Sequence, residues 1–243
     1  MRDERSRADA PDADRRGRFD ERSPACAPGC ACACAVGNEF GERQARRDLA
    51  LYRRRGPDRT TGWLIEGLTG GASDGVDGLS VLDIGAGVGA VHLELLRAGA
   101  SSATDVDGSP AYQAVARGEA ARQGVGDRVA YALGDFVEVA RTIEPADLVA
   151  LDRVVCCYPD MEALVRLSVG RARRRYGLVY PRDTRWIRAA SRMLNMVSRL
   201  LRRRFRTWVH RTADVDAIAR AAGFAPQFER TTLFWQVVVY ERP

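Results

Sequence analysis

The stretch Val81-Leu82-Asp83-Ile84-Gly85-Ala86-Gly87-Val88-Gly89 has the residue types and spacing of a ligand-holding turn. A short apolar run enters three alternating glycines, and a helical pattern follows. Glycine lets the backbone pass close to a bound group, and a helix N-terminus offers unpaired N–H donors. Eighteen residues past Gly89 stands Asp107, at the end of the next apolar run. An acid there is placed to accept both hydroxyls of a ribose. The chemistry on offer is recognition of a nucleoside. With Ala90 the turn also satisfies the dinucleotide pattern G-x-G-x-x-A. Three features argue against that ligand. Asp83 stands where a dinucleotide fold wants an apolar residue, no second nucleotide-binding half follows, and the chain ends in a hairpin pattern.

These residues need elements to position them. From Phe40 the pattern is helical, with Ala45, Leu49 and Tyr52 on one face. Gly56-Pro57 breaks it, and a second helix follows through Leu64 and Leu68. From Leu79 short apolar runs alternate with helices: strands over 80–84, 103–106, 128–133, 147–151 and 178–180, helices over 88–98, 110–123, 136–141 and from Asp160 to about Arg174. Such alternation predicts a mostly parallel sheet with helices on both sides. An amphipathic helix or pair of helices over 184–205 interrupts it. A helix over 213–222 and two closely joined strands, near 227–232 and 233–240, complete the chain and predict an antiparallel end to the sheet.

With those elements in place, the chain resembles the class I S-adenosylmethionine-dependent methyltransferases. The matching residues are VLDIGAGVG at 81–89, TDVDGSP at 104–110, LGDF at 133–136 and ADLVALDRVV at 146–155. The resemblance implies a Rossmann-like, doubly wound α/β fold. Its seven-stranded sheet would be mostly parallel with an antiparallel C-terminal strand, a helical lid over 39–78, a core over 79–243 and an inserted helix after the fifth strand. It also implies S-adenosylmethionine as cofactor. Gly85, Ala86 and Gly87 would line its methionine part, and Asp83 would order that loop and the amino group. Asp107 would hold the ribose. Asp135 would meet the adenine amino group, with Phe136 beside the ring. Leu151 and Asp152 would face the methionyl end and the substrate. Singly, Asp83 also suits a helix cap, Asp107 a turn and Asp135 an N-cap. In this order and at these distances they point to one site.

Within the family the resemblance runs to small-molecule methyltransferases of the magnesium-protoporphyrin O-methyltransferase type, so a small-molecule acceptor is expected. The segment after the fourth strand, Asp152 to Asp160, carries neither the Pro-Pro-aromatic of amino-methylating DNA enzymes nor the paired Glu of protein arginine methyltransferases. Methyl transfer is an in-line displacement that depends on positioning, and a base is needed only for a protonated acceptor. Tyr158 and His210 are the candidates for that role, and packing is the plainer reading of Tyr158. His92, on the face of Val88, Leu95 and Leu96, reads as a packing histidine, and Cys156 and Cys157 as small buried hydrophobes.

The 38 basic residues are all Arg and exceed the 32 acids by six. Fourteen Arg and one acid fall in residues 171–211, giving that segment +13 and the remainder −7. A solvated helix packed on the domain is the bland reading. A lid over an apolar substrate, a peripheral membrane contact through 192–206 and a phosphate-binding face are the functional ones. An RNA- or protein-directed enzyme would use this segment, as would a non-catalytic binding module of the same fold. Few aromatics interleave the arginine run that starts at Arg192, apart from Phe205 and Trp208, which argues against nucleic acid.

Residues 1–38 read as a disordered, Cys-containing tail: positions 1–24 hold seven basic and seven acidic residues and almost no large apolar ones. Cys26–Cys34 spaces its thiols as C-x3-C-x-C-x-C, unlike a zinc knuckle, so no metal is expected. The cysteine pattern is no disulfide framework and the leader lacks an apolar core, so a cytoplasmic protein is expected. No run approaches a membrane span.

Overall fold

The computed structural model describes residues 41–70, 75–201 and 206–243, so the expected N-terminal tail and its cysteines lie outside the described residues. Two helices come first, α1 (Glu42–Arg55) and α2 (Arg59–Thr69). The core follows as β1 (Ser80–Ile84), α3 (Ala90–Arg97), β2 (Ser102–Asp107), α4 (Pro110–Arg122), β3 (Val129–Leu133), α5 (Phe136–Val139) and β4 (Ala146–Asp152). Then come α6 (Met161–Val169), β5 (Ala172–Pro181), α7 (Arg185–Leu200), α8 (Thr212–Ala221), β6 (Ala225–Thr231) and β7 (Trp235–Glu241).

The seven strands form one sheet in the order β3-β2-β1-β4-β5-β7-β6. β1 to β5 run parallel, and β7 is antiparallel to both β5 and β6. This is the doubly wound Rossmann-like arrangement. The order reverses between β1 and β4, so the carboxyl ends of those strands open the crevice where such sheets bind ligands.

Alternating residues of each strand feed two cores. On one face Leu82, Ile84, Val149 and Leu151 pack with Phe136, Leu164 and Val165. On the other Val81, Ala103, Leu148 and Ala150 pack with Leu64, Leu68, Val91 and Leu95. β4 is covered on both sides, which is why its sequence is nearly continuous apolar. Local caps set the helix starts. Asp58 accepts the N–H of Thr60 and Thr61, Ser109 that of Tyr112 ahead of Pro110, Asp135 that of Val137 and Asp160 that of Ala163.

Two boundaries differ most from the sequence expectation. α6 stops at Val169 rather than near Arg174, and β5 begins at Ala172 rather than Leu178. Arg173, Arg174 and Arg175 belong to the strand, not to a helix end. Arg175 reaches across to Glu241 at 3.0 Å and to the Leu68 carbonyl, which a strand beside β7 allows. The expected 184–205 helix is a single one ending at Leu200, and 202–205 lie outside the described residues.

The N-terminal helices are fastened to the core by polar bridges. Tyr52 donates to Glu94 at 2.8 Å, and Tyr112 donates to Asp48. Arg53 of α1 and Arg122 and Gln123 of the α4 end all donate to Glu119, whose carboxylate is fully buried. The Arg122 hydrogen bond leads in holding that carboxyl at about 2, against an ordinary 4.5. Folding therefore gains from the ionised form above about pH 4.5, and the gain is lost as pH falls toward 2. Glu119→Gln should cost about 1–3 kcal/mol at neutral pH. In thermal melts, the gap between variant and wild type should close as the pH is lowered through that window.

Candidate active site

β1 ends at Ile84 and the chain turns through Gly85, Gly87 and Gly89, all with positive φ. Side chains would not fit here. A Cβ on Gly85 would lie 2.5 Å from Val154 Cγ2, and one on Gly89 would lie 2.7 Å from the His92 ring. The turn is thus pressed between the end of β4 and the first turn of α3, with φ of 65° and 82° at these two glycines.

Four aspartates stand at the carboxyl ends of four neighbouring strands: Asp135 just past β3, Asp107 closing β2, Asp83 in β1 and Asp152 closing β4. Asp107 is 8% exposed. Its Oδ2 accepts the Gly87 N–H at 2.9 Å and its Oδ1 the Ser109 N–H at 2.7 Å, so it ties the glycine turn to β2. Burial pushes its carboxyl up, against those two N–H groups. Asp83 accepts the ring Nδ1–H of His92 at 3.0 Å and its main-chain N–H at 3.3 Å. Its other oxygen is buried and meets no hydrogen-bond partner among the described residues. His92 is fully buried, more deeply than its helical position suggests.

Asp135 accepts the Val137 N–H and, at 3.0–3.1 Å, the hydroxyl of Tyr158. Phe136 beside it is 5% exposed. The sequence-predicted Tyr158 is thereby brought to the β3 end of the site. His210 joins the same group, because its Nε2–H donates to the Tyr158 carbonyl at 2.9 Å. Burial pushes the His210 imidazole below its usual range, against its bonds to the Tyr158 and Val155 backbone, so it is neutral at pH 7. Gly85, Ala86 and Gly87 are partly exposed in the turn, and Leu151 is fully buried beneath it.

Asp152 is fastened to the N-terminal helices. Thr61 of α2 donates to its Oδ2 at 2.6 Å, and Arg153 donates to both its oxygens at 3.0 Å. Arg153 also pairs with Asp58, the cap of α2. Burial pushes the Asp152 carboxyl up, against Arg153 and Thr61. Arg153 holds φ 61°, which non-glycine residues rarely adopt. The strand end is thus bent to place its guanidinium between the two carboxylates. Sequence reasoning missed this latch, because its halves lie 95 residues apart. Arg153→Ala should lower stability by roughly 1–3 kcal/mol, allowing for the exposed part of the pair. It should also speed amide exchange in residues 59–69 more than in β1 or β4.

The model of the methyltransferase domain family matches residues 81–170, the segment from the glycine turn to the end of α6. No curated protein matches the sequence. Among solved structures, magnesium protoporphyrin IX methyltransferase from Synechocystis with bound S-adenosylhomocysteine is similar over 87% of this chain and 99% of its own, with TM-score 0.66 and 20% identity. An O-methyltransferase family protein from Burkholderia thailandensis matches over 85% of this chain and 62% of its own, with TM-score 0.62 and 17% identity. An O-methyltransferase family 2 protein from Planctomyces limnophilus in complex with apigenin matches over 83% and 62%, with TM-score 0.60 and 17% identity. The fold is that of class I S-adenosylmethionine-dependent methyltransferases, and residues 81–170 match a methyltransferase domain.

The residues fit that cofactor. Carboxylates at four strand ends suit a ligand carrying an ammonium, a sulfonium and ribose hydroxyls. The same row would repel the pyrophosphate of a dinucleotide. Among the described residues no cluster of three or more His, Cys, Asp or Glu could hold a metal ion, and no helix is long and apolar enough to cross a membrane.

Proposed function

We propose that this protein transfers a methyl group from S-adenosylmethionine to a small-molecule acceptor. The row of Asp135, Asp107, Asp83 and Asp152 around the glycine turn carries this reading. In it, Gly85, Ala86 and Gly87 line the methionyl part, Asp83 orders the turn, and Asp107 takes the ribose hydroxyls. Asp135 takes the adenine amino group beside Phe136, while Leu151 and Asp152 support the methionyl end. The cofactor supplies a methyl group made electrophilic by the sulfonium. The protein supplies position, and closes the site with the α2 latch at Asp152. The named ligand of the Planctomyces structure, apigenin, and the geranyl diphosphate of another similar methyltransferase are small molecules, which supports the same acceptor class.

Tyr158 has its hydroxyl on Asp135, so its part is to hold that carboxylate. His210, neutral at pH 7, is the group for taking a proton from a hydroxyl acceptor. With such an acceptor, His210→Ala should lower kcat about 100-fold and leave cofactor affinity unchanged. The wild-type rate should rise with pH through a value below the usual histidine range.

The test of the whole reading is calorimetric titration with S-adenosylmethionine and, separately, NADH. Labelled methyl transfer to a panel of apolar acids and phenols follows. Micromolar binding of the first alone, with label appearing in one acceptor class, is the expected result. A folded protein that binds neither, or prefers NADH, overturns the reading.

A further inference from the structure

Helix α7 is attached by its polar side. At 100° per residue, Trp186, Met193, Leu194, Met196, Val197 and Leu200 fall on one half of the helix. Arg185, Arg192 and Arg199 follow one another at seven-residue intervals along one border of that half. A helix packed on its own domain turns such a half inward. Here it faces water: Leu200 is 77% exposed, Met193 62% and Met196 58%. The side that meets the body is held by hydrogen bonds. Ser191 and Asn195 donate to the Thr207 carbonyl, and the Thr207 N–H donates back to Asn195. Ile187 is the one buried residue of the helix. Of the ten large apolar side chains exposed among the described residues, seven lie on α7 and the adjoining Leu201.

Charge selects what covers this face. Residues 184–213 contain nine Arg and no acid. Among the described residues, Arg185, Arg192 and Arg199 have no carboxylate partner. A second copy laid α7 on α7 would bring like charges together along the border. An anionic phospholipid surface accepts both features: acyl chains take the apolar half, and phosphates take the arginines, which bind them bidentately. Trp186 sits at the depth of that boundary by type.

We propose that α7 docks this protein on an anionic bilayer surface, lying in its plane with the apolar half inserted and Arg185, Arg192 and Arg199 on lipid phosphates. The docking does not depend on methyl transfer. It does have a consequence for it. The segment that holds α7 continues to Trp208, whose N–H donates to the Cys156 carbonyl just past β4 at 2.8 Å. The segment after α7 therefore runs beside the carboxyl end of β4, and an apolar acceptor dissolved in the membrane would arrive near the candidate site.

The test is co-sedimentation of the full chain with phosphatidylcholine vesicles and with vesicles containing about 30% phosphatidylglycerol, at low and high salt. Expected is binding to the anionic vesicles that is at least ~10-fold tighter than to neutral ones and weakens with salt. The double variant Met193→Asp/Leu200→Asp should lose at least ~10-fold, and Arg192→Glu/Arg199→Glu a similar amount, both with unchanged circular dichroism. No binding by wild type overturns the proposal. So does binding that survives the two aspartates, which would be adsorption of arginines alone. A dimer in solution that dissociates in the Met193→Asp/Leu200→Asp variant, without vesicle binding by wild type, would assign the face to a second copy instead.

Discussion

Asp107→Ala is expected to weaken S-adenosylmethionine binding by at least about 100-fold. In the proposed reading the carboxylate serves two sets of partners. Its Oδ2 and Oδ1 already accept the N–H groups of Gly87 and Ser109, which fixes the glycine turn against β2. An ionised carboxylate has about four acceptor positions, so two remain for the ribose hydroxyls. Hydrogen bonds to a charged group are worth roughly 1.5–3 kcal/mol each, and two lost bonds amount to about two orders of magnitude or more. Asp107→Asn keeps one carbonyl oxygen and should fall between wild type and alanine. Because burial raises the Asp107 carboxyl, cofactor binding should begin to weaken above the ordinary carboxylate range as pH falls. Calorimetry on wild type and both variants measures this, with melting curves alongside. The alanine variant also strands two backbone N–H groups, which should cost about 1–3 kcal/mol of stability. Wild-type affinity in a folded Asp107→Ala protein would remove the ribose assignment and the nucleoside reading with it.

What the sequence makes legible is what short-range rules govern. The glycine turn, the Ser109, Asp135 and Asp160 caps, and the closing hairpin all follow from residues within a few positions of each other. The start of β5 is obscured because Arg173–Arg175 look like the charged end of a helix. The neighbouring β4 and β7, with Leu148 and Glu241 opposite Arg175, make them a strand. The Arg153 latch joins Asp58 to the end of β4 across the whole first half of the core, and no periodicity announces such a pair. For α7 the residue pattern defines an amphipathic stripe without a direction. The direction is set by Ser191 and Asn195, whose bonds to Thr207 turn the apolar half outward. Asp105 is inconspicuous inside the 104–110 motif, although strand alternation already puts it on the face of Asp107.

Asp105→Asn is expected to stabilise the protein, and by an amount that grows with pH. Asp105 lies opposite Asp83 in the β1–β2 register and two residues before Asp107 on the same face. It is fully buried, and neither oxygen makes a hydrogen bond of normal geometry among the described residues. Burial, then the charges of Asp83 and Asp107, push its carboxyl up to about 8, with Arg117 and Gln113 opposing. Unfolded, it titrates near its ordinary 3.8. Between those values the folded chain carries a proton that the unfolded chain lacks. Stability therefore falls through the window as pH rises, by about 1.4 kcal/mol per unit of full titration difference. Asparagine does not titrate, so it brings no charge beside Asp83 and Asp107 at any pH in this range. The variant should melt close to wild type near pH 4 and on the order of 10 °C higher above pH 8. Calorimetric melts of both proteins across this range decide it, and parallel curves would show that Asp105 is ionised in the folded state. Three carboxylates so close on one sheet face cannot all be charged. A proton kept on Asp105 removes one charge from beside Asp107, which accepts the Gly87 N–H of the glycine turn. The uncharged amide of the Asp105→Asn variant should therefore leave S-adenosylmethionine binding at neutral pH intact.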